Sequence, residues 1–142
     1  MPETLTTSQI EEGAALPDLD IPVTSTLVVG GAMASRDYTP VHHDAGEARK
    51  QGLPDVIMNI LTTQGLCSRY VTDWAGPEAR LRRIAIRLGA PAIPGKPLRF
   101  TGQVASKKDE GDECVLEVAV RAANDLGDHA TGTVTVSLPR AS

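Results

Sequence analysis

Residues 56–74, VIMNILTTQGLCSRYVTDW, form the longest helical pattern in the chain. Apolar side chains recur there mostly at steps of three and four residues, which is the spacing of one face of an α-helix. Gly65 is a poor helix former, but a small residue suits a helix that packs closely against a sheet. The sequence therefore predicts a long central helix over residues 56–74.

Four stretches of alternating or β-branched apolar residues follow this helix and predict β-strands. They cover residues 81–88, 98–104, 115–122 and 130–138. The connecting sequences DEGD (residues 109–112) and NDLGD (residues 124–128) are typical of hairpin turns. One long helix with an antiparallel meander indicates an α+β fold in which the sheet wraps around the helix, the hotdog architecture.

The region before the central helix carries weaker patterns. Residues 1–20 show no sustained periodicity and predict a flexible N-terminal arm, which leaves residues 21–142 as a single folded domain. Residues 21–29 are rich in β-branched side chains and predict a first strand that ends at Gly30-Gly31. Asp44 is suited to cap a short helix over residues 44–50, which Gly52 would end.

Composition excludes several classes of function. The net charge of −4 and the lack of a basic stripe argue against nucleic-acid binding. No apolar run is long enough to cross a bilayer, and the acidic N-terminus is unlike a secretory signal, so we expect a cytoplasmic protein with no membrane contact. Cys67 and Cys114 match no metal or redox spacing and are expected to be reduced packing residues. No metal site is predicted.

The sequence Asp37-Tyr38-Thr39-Pro40-Val41-His42 carries the strongest candidate for chemistry. Pro40 restricts its own backbone and that of Thr39, so both are expected to shape a stiff loop that holds Asp37 and His42. A carboxylate and an imidazole held together can exchange acid and base roles near neutral pH. Addition of water across an activated double bond requires such a pair. In the alternative interpretation, Asp37 caps the turn and His42 is a hydrogen-bonded loop histidine.

Other polar residues give weaker signals. Arg80, Arg82 and Arg83 could pair with phosphate groups of a ligand, although a solvated strand face or salt bridges would explain them equally well. His43 follows His42 directly and is expected to point elsewhere. His129 lies beside a predicted turn and is expected to be solvated or structural.

The Asp37–His42 hexapeptide resembles the pattern Gly-Asp-x-Asn-Pro-Leu-His of the MaoC-like, or (R)-specific enoyl-CoA hydratase, family. Residues 56–62 resemble the family's segment Pro-Ile-Ala-His-Gly-Met-Leu-Thr, and the resemblance extends over residues 21–138. It implies that Asp37 and His42 are the catalytic pair and that the backbone N–H of Asn59 polarises the thioester carbonyl. Thr39 replaces the family's Asn and Asn59 replaces its Gly, and both departures suggest an unusual substrate or a divided site.

A longer match, RYVTDWAGP over residues 69–77, resembles the small MaoC-like subunits of actinobacterial hydratases that act on steroid side chains. The resemblance implies hydration of a trans-2-enoyl-CoA to a 3-hydroxyacyl-CoA together with a second MaoC-like hotdog subunit. A DUF35 protein and a thiolase-like aldolase are further implied partners. The substrate carries coenzyme A, whose phosphates Arg80, Arg82 and Arg83 could contact, and the protein needs no cofactor. The alternatives are a 3-hydroxyacyl-thioester dehydratase of lipid synthesis and a non-catalytic subunit that completes a partner's acyl-CoA pocket.

Overall fold

The computed structural model describes residues 3–140. Met1 and Pro2 of the predicted arm and Ala141 and Ser142 of the predicted domain lie outside the described residues. The chain forms, in order, β1 (Ala15–Ile21), α1 (Ser25–Ala34), α2 (Ala45–Lys50), α3 (Ile60–Ala75), β2 (Arg80–Leu88), β3 (Leu98–Glu110), β4 (Glu113–Asn124) and β5 (Gly127–Pro139). Single 3-10 turns cover Thr7–Gln9 and Pro40–His42. None of the helices in this part of the chain has the length and apolar character needed to cross a membrane.

The five strands form one antiparallel sheet in the order β1-β3-β4-β5-β2. The long strands β3, β4 and β5 lie in the middle, and β1 and β2 are the two edges. Helix α3 packs on one face of this sheet through its buried side chains Thr63, Cys67, Tyr70, Val71 and Ala75. The predicted α+β hotdog architecture is confirmed.

The core between helix and sheet is mostly aliphatic. Along β4 the buried side chains alternate with less buried ones, as expected for a strand with one face on a core. Tyr70 of α3 lies over the sheet with its ring centroid 5.8 Å from that of Phe100. A Cβ atom on Gly102 would lie 2.9 Å from the Tyr70 ring, so this contact requires glycine. Burial raises the pKa of Cys67 to about 11, in agreement with a protonated packing thiol.

The central helix is shorter at its start than predicted. It begins at Ile60, not at residue 56, because the Asn59 side chain accepts a hydrogen bond from the Thr62 N–H at 3.1 Å and caps the helix. Residues 56–59 precede the helix. Their backbone is held by two hydrogen bonds, from the Ile57 N–H to the Val41 carbonyl at 3.0 Å and from the Met58 N–H to the Ala92 carbonyl at 2.9 Å. At about 1.5 Å per residue, the 16 residues of α3 span about 24 Å.

The predicted strand over residues 21–29 is wrong. Ile21 is the last residue of β1, and most of the stretch lies in helix α1. Thr24 caps this helix by accepting a hydrogen bond from the Leu27 N–H at 3.0 Å. Val28 and Ala32, four residues apart on one helix face, are fully buried. Burial of that face outweighs the β preference of the Val and Thr side chains.

The predicted N-terminal arm is part of the fold in the described residues. Ala15–Ile21 pairs with β3, and the predicted boundary at residue 20 falls inside this strand. The Lys107 ammonium group donates to the carbonyls of Thr7 and Ile10 at 2.6 and 3.0 Å and fastens the preceding segment. The strand was not recognised because Pro17 and two aspartates interrupt its apolar alternation, and its register shifts between Leu16 and Leu19.

The four strands predicted after the helix are confirmed, and all four are longer than expected, β2 by a single residue. β3 and β4 continue almost to the Gly111-Asp112 turn, where Gly111 has φ 60°. β4 and β5 are paired up to Asn124 and Gly127. Helix α2 and its Asp44 cap are also confirmed, since Asp44 accepts a hydrogen bond from the Glu47 N–H at 3.1 Å.

Tyr70→Phe tests whether β1 is docked on the central helix. The Tyr70 hydroxyl donates to the Pro17 carbonyl at 2.8 Å and thereby links α3 to the first strand. Its loss leaves a partly buried carbonyl without its donor, so we expect the free energy of unfolding to fall by about 1 kcal/mol. Urea denaturation at fixed protein concentration measures this change. Tyr38→Phe, at an exposed tyrosine, is the control, and equal stability of both variants would contradict the docked strand.

Candidate active site

The C-terminal end of α1 determines where Asp37 lies. Arg36 adopts a left-handed conformation with φ 57°. Its N–H donates to the Met33 carbonyl at 3.1 Å, and the Asp37 N–H donates to the Ala32 carbonyl at 2.9 Å. These two bonds form a Schellman motif, in which glycine is the usual residue at the left-handed position. The chain therefore reverses sharply, and Asp37 follows directly after the helix.

A second turn brings His42 back to Asp37. Pro40 occupies the first position of the Pro40–His42 turn, where its fixed φ is favourable, and the His42 N–H donates to the Thr39 carbonyl at 3.1 Å. Nε2 of His42 lies 3.2 Å from Oδ2 of Asp37. The His42 side chain is 11% exposed and that of Asp37 is 28% exposed. The predicted pair is therefore in contact at the edge of the protein interior.

The two nitrogen atoms of His42 have different roles. Nδ1 lies 2.6 Å from the Ile57 carbonyl oxygen, which can only accept a hydrogen bond, so Nδ1 carries a proton. The Ile57 N–H in turn donates to the Val41 carbonyl at 3.0 Å and locks the loop to the segment before α3. Proton exchange on the ring is consequently assigned to Nε2, the atom that faces Asp37.

Asp37 is surrounded by hydrogen-bond donors. Oδ1 accepts from the Thr39 hydroxyl at 2.8 Å and from the Thr39 N–H at 3.3 Å, and Oδ2 accepts from the Asn59 carboxamide at 3.2 Å. The pKa of Asp37 is held below its usual value, mainly by the Thr39 hydroxyl, then by the Asn59 amide, and also by the charge of His42. Desolvation acts in the opposite direction. Asp37 is thus an ionised acceptor at neutral pH.

Asn59 is placed where α3 begins, and it is only 2% exposed. Its backbone N–H has no acceptor among residues 3–140, and the N-terminal end of a helix of this length favours negative charge. These features suit the predicted role of this N–H toward a thioester oxygen, which stays a prediction. The side chain makes contacts that the sequence did not suggest, to Ser35 as well as to Asp37.

The structure does not bring the predicted arginines to this pair. Arg80 and Arg82 pair with Glu113 at 3.8 and 2.6 Å, and Arg82 also donates to Ser137 at 2.9 Å. They lie at the start of β2, which follows the C-terminal end of α3, whereas the pair lies beside the N-terminal end of that helix. Arg83 is on the same exposed strand segment. Contact of these residues with coenzyme A stays a prediction.

The remaining histidines lie outside the pair. His43 is exposed, with Nε2 3.2 Å from the Tyr38 carbonyl. His129 is 2% exposed, and its Nδ1 and Nε2 lie 2.8 Å from the Ala90 carbonyl and from the Thr63 hydroxyl. Burial lowers the pKa of His129, so it is neutral at neutral pH and braces the first turn of α3. Within the described residues no group of three His, Cys, Asp or Glu side chains is arranged to hold a metal ion.

Sequence reasoning missed the Ile57 carbonyl, Ser35 and Thr62 as parts of this site. Carbonyl groups have no sequence signal, and the two hydroxyl residues are common in loops and helix starts. The Asn59 cap had a signal, because Asn directly before an apolar helical run is a preferred N-cap. That signal was hidden when the helix was extended back to residue 56.

Comparison with known proteins places this geometry in a family. The sequence profile described as MaoC like domain matches residues 7–125. A curated protein of Mycobacterium tuberculosis (strain ATCC 25618 / H37Rv), the 3-oxo-4,17-pregnadiene-20-carboxyl-CoA hydratase beta subunit, is 44% identical over 126 residues, which cover 89% of this chain and 95% of that protein.

Solved structures agree with this result. A chain of the ChsH1-ChsH2 complex from Mycobacterium tuberculosis superposes with a TM-score of 0.84 at 43% identity, over 90% of this chain and 98% of that one. The unliganded R-hydratase PhaJ1 from Pseudomonas aeruginosa superposes with a TM-score of 0.83 at 20% identity, over 97% of this chain and 88% of that one. The second similarity shows that the fold is shared.

Thr39→Val tests what keeps Asp37 ionised. The substitution removes the hydroxyl donor at 2.8 Å and keeps the backbone N–H, so we expect the pKa of Asp37 to rise toward its ordinary value. NMR titration of the carboxyl carbon measures it. Because the folded pKa is lowered, ionised Asp37 stabilises the fold above its unfolded pKa, and this stabilisation is lost as pH falls through the folded pKa. Thr101→Val on β3 is the control, and an unchanged Asp37 titration in Thr39→Val would refute the assignment.

Proposed function

Since the chain belongs to the MaoC-like domain family, we propose that it is a hydratase subunit that adds water to a trans-2-enoyl-CoA and gives a 3-hydroxyacyl-CoA. The 3.2 Å contact between Asp37 Oδ2 and His42 Nε2 carries this proposal. A close relative that is named a hydratase subunit supports the reaction class.

The pair performs the two proton transfers of hydration. The water oxygen bonds to the β carbon of the enoyl group as one water proton passes to the pair, and the pair delivers a proton to the α carbon. The net change is the addition of one water molecule across the double bond. The two transfers are assigned to Asp37 and His42 jointly, because interacting groups titrate as a unit.

The start of α3 stabilises the charge that develops on the thioester oxygen. Attack at the β carbon moves electron density toward that oxygen, and a fixed N–H group next to a helix N-terminus stabilises it. We assign this role to the Asn59 N–H. No cofactor takes part, since the substrate itself carries coenzyme A.

The proposed substrate is a steroid side-chain acyl-CoA. The name of the 44% identical relative supports this class. Tyr38, Ile60 and Leu61 adjoin Asp37 and Asn59 in the chain and are 64%, 43% and 49% exposed. Large apolar side chains beside a polar pair suit contact with a bulky apolar acyl group or with the subunit that encloses it.

We propose a second MaoC-like hotdog subunit as the partner. Within residues 3–140, β2 is an edge strand whose hydrogen-bonded neighbour is β5, and Leu81 on it is 45% exposed. An exposed edge with apolar side chains is suited to pair with another sheet. The similar chain in the ChsH1-ChsH2 complex supports a heteromeric assembly. A DUF35 protein and a thiolase-like aldolase stay predictions from the resemblance.

Asp37→Asn and His42→Ala test the chemistry in the assembled enzyme. Each removes one of the two groups that move protons, so we expect kcat to fall on the order of 10²- to 10⁴-fold. Loss of enoyl-thioester absorbance measures the rate. Asp73→Asn, on the exposed face of α3 near its other end, is the control and keeps most of the activity.

Full activity of both site variants would favour a subunit that only completes its partner's pocket. Hydration of acyl-carrier thioesters in preference to CoA thioesters would favour lipid synthesis.

Leu81→Asp tests the partner surface. A charge on the edge strand β2 disfavours its burial against another sheet, so the co-expressed complex is expected to weaken at least tenfold, by about 1.4 kcal/mol. Light scattering across a dilution series measures the loss of the heteromer. Leu126→Asp is a matched control, because Leu126 is 47% exposed in the β4–β5 turn. Equal dissociation of both variants would place the interface elsewhere.

A further inference from the structure

Resting on the proposed hydration at Asp37 and His42, we propose that Asn59 is a positioning residue whose carboxamide holds the Oδ2 atom of Asp37 against Nε2 of His42. The backbone N–H of Asn59 and its side chain then serve different purposes. The N–H faces the thioester, and the side chain acts on the reaction through Asp37.

The orientation of the Asn59 carboxamide is fixed at its oxygen. Oδ1 accepts from the Thr62 N–H at 3.1 Å and from the Thr62 hydroxyl at 2.5 Å. Nδ2 therefore points to the opposite side, where it donates to the Ser35 hydroxyl oxygen at 2.9 Å and to Asp37 Oδ2 at 3.2 Å. Both oxygen lone pairs and both N–H groups of this buried amide are thus satisfied, and the side chain is rigid.

A reversed amide is excluded by its surroundings. It would set an NH2 group against the Thr62 N–H, which can only donate, and an oxygen against the ionised carboxylate of Asp37. Ser35 adds to this preference, because its hydroxyl donates to the Gly31 carbonyl at 2.7 Å and keeps a lone pair for the Asn59 amide. Asn59 is therefore a directed donor toward Asp37.

Asn59 holds the oxygen of Asp37 that matters for the pair. Oδ1 is held by Thr39, only two residues away in the same loop. Oδ2, the atom next to His42, is held by Asn59 from the start of the central helix, 22 residues away. Without the amide, the carboxylate is tied only to its own loop and can rotate away from Nε2. The amide also contributes to the lowered pKa of Asp37.

The packing of α1 on α3 is built around the same network. A Cβ atom on Gly31 would lie 2.2 Å from the Thr62 hydroxyl oxygen. Thr62 is the residue that fixes the Asn59 oxygen, so glycine at position 31 lets the end of α1 approach closely enough for Ser35 to reach Asn59. The two helices thus converge on the carboxamide, which connects both of them to Asp37.

Asn59→Ser in the assembled enzyme tests the proposal. Serine keeps the backbone N–H and is a good N-cap, but it has no amide that reaches Asp37. We expect kcat to fall between about 10- and 100-fold with a small change in KM, because a reacting group is displaced. The acid limb of the pH profile moves to higher pH, because the Asp37 carboxylate loses a donor. Asn59→Asp keeps the cap and adds a charge beside Asp37, so it moves this limb further in the same direction.

A purely structural role for Asn59 gives a different result. Thermal stability and the active fraction would fall together, while the pH profile of the remaining enzyme would not move. Wild-type kcat and pH profile in Asn59→Ser would overturn the proposal. If this variant does not assemble, Thr62→Val decides, because it removes the hydroxyl donor to the carboxamide oxygen, leaves only the backbone N–H of residue 62 to orient the amide, and does not touch Asp37. A shifted acid limb in Thr62→Val supports the proposal and an unchanged limb overturns it.

The proposed function and this inference fail separately. If Asp37→Asn and His42→Ala are inactive while Asn59→Ser is fully active, only the proposed role of Asn59 is refuted. If all three variants are fully active, the proposed hydration site itself is refuted.

Discussion

The hydrogen bond between His42 Nδ1 and the Ile57 carbonyl, 2.6 Å long, is the constraint on which the site depends. It ties the loop that carries Asp37 and His42 to the segment before α3, and the bond from the Ile57 N–H to the Val41 carbonyl closes the connection from the other side. Because the carbonyl can only accept, it leaves Nε2 as the ring atom that exchanges a proton. The same bond therefore sets the position of His42 and its chemistry.

The start of α3 is where the elements of the site meet. Asn59 caps the helix, and the loop that carries Asp37 arrives there from the end of α1. His129 supports the same turn from β5 through Thr63. A single rigid helix end thus orders both partners of the pair, and the sheet behind it supplies the packing that keeps that end in place. Groups held in this way lose little freedom during the reaction.

Much of the fold could be predicted from the sequence because periodicity reports burial directly. The four strands after α3 and their two hairpin turns were recognised, since one face of each strand lies on the core. Of the elements before α3, β1 and α1 were misjudged because local preference conflicts with packing there. The Thr and Val residues of α1 favour strands in isolation, and β1 contains a proline and two aspartates. The contacts of α1 with α3 and the pairing of β1 with β3 determine which structure each of these segments adopts.

The candidate site, like the fold, could be predicted only in part from local sequence patterns. Asp37 and His42 were found because they lie five residues apart in one loop with a proline between them. The Asn59 amide and the Ile57 carbonyl reach the pair from segments outside this loop, and the Ser35 hydroxyl contacts the Asn59 amide. No local pattern encodes such contacts. The arginines of β2 were associated with the site by charge alone, and the sheet places them near the other end of the helix.

Nitrogen NMR of His42 in the assembled enzyme, with ¹⁵N-labelled histidine followed across the pH range, shows which ring nitrogen exchanges the proton. We expect Nδ1 to stay protonated throughout and Nε2 to be the nitrogen that gains and loses the proton. A neutral ring with its proton on Nε2 would refute the role of the Ile57 carbonyl, because Nδ1 would then lack the hydrogen that this carbonyl accepts.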